Sequence, residues 1–157
     1  MNKIFLFALL SISIFLLDGC KPGPQFPNTP EITWNRFSQT SIQQLTGQIK
    51  LIFDFQDGDG DLGADENDSI PNLIIIDNRT EDTIFYRIPI IPQENRNFGI
   101  TGEVEVDFST VCCISTGCLP SPIPAIDSVT YRIRLQDQAG NWSNEVETTP
   151  LYINCHQ

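Results

Sequence analysis

The chain has 157 residues, a formal net charge of −11 and a single histidine. A chain this acidic does not neutralise phosphates, which excludes a nucleic-acid binder, and it does not adhere directly to an anionic membrane surface. Its length is that of one domain once the apolar N-terminal run is set aside.

In chain order, Lys3 precedes an apolar run from Ile4 to Leu17. The run is short for a bilayer span and has the size of a signal-peptide core. It abuts Leu17-Asp18-Gly19-Cys20, which resembles a bacterial lipoprotein signal, although Asp18 departs from the small neutral residue usual there. The resemblance implies a signal peptide over 1–19 and a Cys20 that is acylated and becomes the mature N-terminus. Two or more acyl chains anchor stably where one holds only marginally. The other reading is an ordinary secretory signal with Cys20 in a disulfide. Lys21 after Cys20 leans towards the outer membrane by analogy with lipoprotein sorting. The rest of 20–30, KPGPQFPNTP after the cysteine, is too rich in proline for a helix or an interior strand and reads as a semi-rigid stalk.

From Glu31 to Gln157 the pattern is that of strands. Ile49, Leu51, Phe53 and Phe55 alternate with mostly polar neighbours, as do Val129, Tyr131, Ile133 and Leu135. Shorter candidates are Glu31–Phe37, Leu73–Asp77, Thr83–Pro89, Thr101–Phe108, Val111–Ile114, Glu145–Thr149 and Leu151–Cys155. The apolar run Leu73 to Ile76 reads as a strand covered on both sides. No stretch keeps a helical period. The expected fold over 31–157 is all-β: an immunoglobulin-like antiparallel sandwich of about seven to nine strands, with eleven prolines helping to protect its edges.

The stretch FDFQDGDGDLGADEND, Phe53 to Asp68, carries seven acids and no Lys or Arg. Calcium takes six to eight oxygens, often carboxylates from a flexible loop, whereas magnesium demands stricter geometry. Asp57, Asp59 and Asp61 alternate with Gly58 and Gly60, which allow a backbone to coil around an ion. They match the first three ligand positions of an EF-hand loop. Leu62 then stands where that loop needs glycine, Asp68 replaces its last glutamate, and the flanks are strand-like. The stretch is therefore similar to the DxDxD calcium loops of extracellular β-domains rather than to an EF-hand. Candidate ligands are Asp57, Asp59, Asp61, Asp65 and Asp68 for Ca2+. The same stretch also reads as a solvated acidic turn.

Beyond Cys20 there are four cysteines: Cys112, Cys113, Cys118 and Cys155. An even number in an exported chain implies two disulfides. A bond between the adjacent pair is strained, so one of Cys112 and Cys113 is expected to close a loop to Cys118 and the other to reach Cys155. Their spacing and the terminal His156 argue against zinc.

The segment SVTYRIRLQDQAGNWSNEVET, Ser128 to Thr148, looks like the penultimate strand, turn and last strand of bacterial extracellular Ig-like domains, with a D-x-A-G-N-x-S turn at Asp137, Ala139, Gly140, Asn141 and Ser143. With the N-terminal signal and the DGDGDLG loop, the chain resembles small surface lipoproteins of Bacteroidota. In a sandwich of that kind the loops after Phe55 and after Leu135 lie at one end. Asp137 and Asn141 are then further candidate oxygens for the ion, or simply shape their own turn. Trp34 and Trp142 read as core or as sugar-stacking platforms. Asp68-Ser69-Ile70, Asp82-Thr83-Ile84 and Asp127-Ser128-Val129 resemble Bacteroidota O-glycosylation sequons, or are turns entering strands. No Ser–His–Asp set, fixed carboxylate pair or phosphate loop is legible. The expectation is a non-enzymatic, lipid-anchored envelope protein, stabilised by calcium, that binds an envelope protein or a glycan. The alternative is a structural or accessory subunit of an outer-membrane complex without metal.

Overall fold

The computed structural model describes residues 26–65, 69–92, 99–109 and 111–156. The signal segment 1–19, Cys20, Lys21 to Gln25 and Asp68 lie outside the described residues. The described chain is an all-β, sandwich-like fold. Its strands are β1 (Glu31–Phe37), β2 (Ser41–Gln43), β3 (Gln48–Asp57), β4 (Leu73–Asp77), β5 (Thr83–Tyr86), β6 (Ile100–Ser109), β7 (Ile126–Val129), β8 (Tyr131–Leu135), β9 (Val146–Glu147) and β10 (Leu151–Asn154). No helix among the described residues is long and apolar enough to cross a membrane.

The strands form three sheets, ordered β1-β3-β6, β2-β10-β7 and β5-β4-β8-β9. All pairings are antiparallel except β2 with β10. One apolar core takes residues from all three. Leu51, Phe53 and Val106 come from the first sheet, Ile42, Val129 and Ile153 from the second, and Leu73, Ile75 and Ile133 from the third. Period-two alternation is what makes this possible, because every second side chain of a strand points to the same face. An edge-to-face chain of rings crosses the core: Trp34 to Phe37 (4.8 Å between centroids), Phe37 to Tyr131 (6.4 Å) and Tyr131 to Phe108 (5.0 Å). Trp34 is therefore part of the packing. Trp142 is half-buried, with the Arg134 guanidinium 5.4 Å above its ring.

Four departures from the sequence reading have local causes. The expected single strand Val129 to Leu135 breaks at Thr130. Val129 pairs with Leu151 in the second sheet, whereas Tyr131 to Leu135 pair with β4 in the third. The expected strand Val111–Ile114 is absent. Cys112 is bonded to Cys118, and a short 3-10 turn over Ile114–Thr116 ends at Gly117 in the left-handed region (φ 60°). A segment closed on itself this tightly offers no straight ladder. β2 was not expected. It is held by the wholly buried Gln44, whose amide donates to the Cys155 carbonyl (2.7 Å) and the Leu119 carbonyl (3.1 Å) and accepts from the Cys113 N–H (3.3 Å). β4 is covered fully on one face only: Leu73 and Ile75 are buried, Ile74 and Ile76 half-buried.

The cysteines pair as Cys112–Cys118 and Cys113–Cys155. These bonds leave none of the four as a thiolate for zinc.

Candidate metal centre

The acidic turn begins where β3 ends. Asp57 is the last residue of β3, paired across to Ile100 at the start of β6. It faces inward at the end of the alternation Phe53, Phe55, Asp57, so strand geometry places a carboxylate where the pattern buries apolar side chains. Asp57 is 0 % exposed. The chain then turns through Gly58, Asp59 and Gly60. Gly60 takes φ 68°, a left-handed conformation that disfavours a side chain, and the turn brings Asp61 back towards Asp57. One carboxylate oxygen from each of Asp57, Asp59 and Asp61 lies within 4.8 Å of the other two.

The loop after β8 meets this turn from the other side. Leu62 bridges to Asp137, the Gln138 N–H donates to the Asp61 carbonyl (3.1 Å), and the Ala139 N–H donates to Asp61 Oδ2 (3.0 Å). The two loops are therefore neighbours at one end of the fold. Asp137 and Asn141 are close by but engage each other. Asp137 Oδ1 accepts from the Asn141 N–H (2.7 Å), and Oδ2 accepts from the Asn141 side-chain amide (2.8 Å). Ser143 Oγ accepts from the Leu135 N–H (3.0 Å), and the Asn144 side chain pairs with both the N–H and the carbonyl of Ile32 (2.8 and 2.9 Å). The D-x-A-G-N-x-S stretch thus builds its own turn, and the residue after it, Asn144, ties that turn to β1. Asp65 is exposed, does not belong to the group of three, and its carbonyl accepts from Arg87 (3.1 Å).

The electrostatics of the group are unfavourable as it stands. Both carboxylate oxygens of Asp57, and Oδ1 of Asp61, are buried and make no hydrogen bond among the described residues. Burial raises the Asp57 pKa to about 7, helped by the charges of Asp59 and Asp61; the nearby Asp61 N–H offsets part of this without making a well-formed hydrogen bond. Burial likewise raises Asp61, with Asp137 and Asp59 adding to it. A buried carboxylate without a partner costs several kcal/mol or gives up its charge. Among the described residues, no Lys or Arg forms an ion pair with Asp57 or Asp61. Asp57 and Asp61 thus have no cation beside them among the described residues, and the donors of the group are hard oxygens.

Asp59 and Asp61 also line a depression of about 280 Å³, together with Gly60, Ile90, Ile91, Pro92 and Gln138 among the described residues. The burial of Asp57 was not read from the sequence. The signal lay in its continuing the inward series Ile49, Leu51, Phe53, Phe55 by one more step.

Compared with known protein families and with curated proteins, the chain matches none of them.

Proposed function

We propose that this protein is a non-enzymatic, lipid-anchored module of the cell envelope whose sandwich holds a calcium ion at Asp57, Asp59 and Asp61. The loaded end of the fold then serves to bind an envelope protein or a glycan. The observation that carries the reading is the Asp57 carboxylate, wholly buried, with neither oxygen hydrogen-bonded and two further carboxylates within reach. A divalent cation is the simplest group that neutralises three acids at once. Calcium suits them because it accepts irregular sets of six to eight oxygens and is abundant outside cells. Among the described residues, a depression beside Asp59 and Asp61 offers a partner room at that end.

The anchor rests on Leu17-Asp18-Gly19-Cys20 after an apolar run. The disulfides support it indirectly: the four other cysteines pair among themselves, so Cys20 has no intrachain partner left.

Calorimetric titration of the full chain tests the ion. One saturable calcium site is expected, with magnesium at least ~10-fold weaker because it keeps its waters and its octahedral geometry. Asp59→Ala/Asp61→Ala removes the binding. No heat at millimolar calcium would leave a solvated acidic turn and favour the accessory-subunit alternative. For the anchor, expression in a diderm bacterium followed by detergent phase separation is expected to place the wild type in the detergent phase and Cys20→Ser in the aqueous one. Equal partition of the two would remove the lipid.

A further inference from the structure

Phe26 and Pro27, read from the sequence as stalk, lie directly on the acidic turn. The Gly58 N–H donates to the Pro27 carbonyl at 2.7 Å. The approach is close enough that a Cβ on Gly58 would stand 2.2 Å from the Phe26 carbonyl oxygen and 2.8 Å from that of Pro27. A Cβ on Gly99 would stand 2.5 Å from the Asp57 carbonyl oxygen and 3.0 Å from Phe26 Cδ2. The cradle for Phe26–Pro27 is thus made by Gly58 and Gly99, with the Asp57 carbonyl packed against Gly99. Gly58 sits between two of the three clustered acids, so the cradle and the carboxylate group share one stretch of chain.

We infer that the cation site governs the docking of this N-terminal segment: an ion held by Asp57, Asp59 and Asp61 fixes the Gly58 backbone and seats Phe26–Pro27 on the domain. This rests on the calcium reading above. Without the ion, three carboxylates within 4.8 Å of one another, one of them buried without a partner, push the turn open. The same movement withdraws the Gly58 N–H from Pro27. The ion would then set whether the sandwich is held stiffly or loosely against the chain that precedes it. For a domain tethered through that chain, the ion controls how it is oriented from its anchor. Coupling of this kind is reciprocal, so whatever docks Phe26 also strengthens the ion's binding by the same factor.

The test measures both directions on the full chain. Amide exchange at Gly58, Asn28 and Thr29 is followed with calcium and with chelator, and calcium affinity is measured for wild type and Phe26→Ala. Calcium is expected to slow exchange at all three amides by about fivefold or more, and Phe26→Ala to weaken calcium by a similar factor, the lower end of ordinary coupling between sites. Phe26→Ala alters no carboxylate; Phe26→Leu is a milder second variant, expected to weaken calcium in the same direction, if the first folds poorly. If calcium titrates normally but exchange at Asn28 and Thr29 does not change and Phe26→Ala binds calcium as wild type does, the coupling is wrong while the ion site stands. If calcium does not titrate at all, both readings fall, and the titration alone shows it.

Discussion

Replacing Cys113 and Cys155 together by alanine is expected to destabilise the protein by about 4 kcal/mol, and replacing Cys112 and Cys118 by only about 2 kcal/mol. The difference follows from loop length. The first bond joins residues 42 apart and the second residues 6 apart, and a longer closed loop removes more freedom from the unfolded chain. The environments act in the same direction. Cys113 and Cys155 are wholly buried, in the cluster that includes Ile153 and Val111, so truncation also leaves a cavity. Cys118 is exposed. A loss of this size takes up a large share of the ~5–15 kcal/mol that holds a domain together, so a fall of roughly 15 °C in the thermal midpoint is expected. Chemical denaturation supplies the discriminating readout. The slope of stability against denaturant is expected to rise in the Cys113/Cys155 variant, because the unfolded chain expands when the long loop is released. Equal losses for the two pairs would refute the loop-length account.

The strands whose signal is local were legible. β1 and β4 occur at Glu31–Phe37 and Leu73–Asp77, the bounds that alternation and the apolar run indicate. What periodicity cannot register is a change of partner. Val129, Tyr131, Ile133 and Leu135 are all buried, so the alternation continues unbroken through Thr130 while the chain passes from β10 to β4. β2 has three residues, too few to show a period, and exists because Gln44 finds the carbonyls of Leu119 and Cys155 far along the chain. The same holds at the acidic turn. Its residue types and glycines were visible, and so, through the connectivity of a sandwich, was the approach of the loop after β8. That Asp137 and Asn141 would close on each other was visible only as one of two options, since an Asp four residues before an Asn can either coordinate or cap. Phe26 and Pro27 read as stalk because proline forbids regular structure there. Nothing in that composition reveals a glycine, 58, left bare to receive them.

Asp57→Asn is expected to reverse the order of stability between variant and wild type, depending on calcium. In chelator at pH 8 the variant is the more stable by about 2 kcal/mol; in millimolar calcium the wild type is. The metal-free half rests on the carboxyl's titration. Its folded pKa is about 7, against 3.8 for an unperturbed aspartate, so the unfolded state ionises more readily than the folded one. The stability associated with this group is therefore fully present below about pH 3.8 and is lost as pH rises towards and through 7. At 1.36 kcal/mol per unit the loss approaches about 4 kcal/mol, and opening of the turn reduces it to roughly half of that. Asparagine carries no charge to lose, and its amide can donate to the oxygens of Asp59 and Asp61, so the variant keeps its stability across that range. The two proteins are expected to converge at pH 4 in chelator. Calcium then acts on the wild type by mass action, adding about 2.7 kcal/mol at 100 times its dissociation constant, a rise of roughly 10 °C in the midpoint. The variant, short of one charged ligand, gains little. Thermal melts of both proteins in chelator and in calcium, at pH 4 and pH 8, read every arm. A variant less stable than wild type at pH 8 in chelator as well as in calcium would mean that the buried carboxylate is satisfied without an ion. The crossing of the two curves is the signature of a residue kept at the expense of the bare fold because the loaded fold requires it.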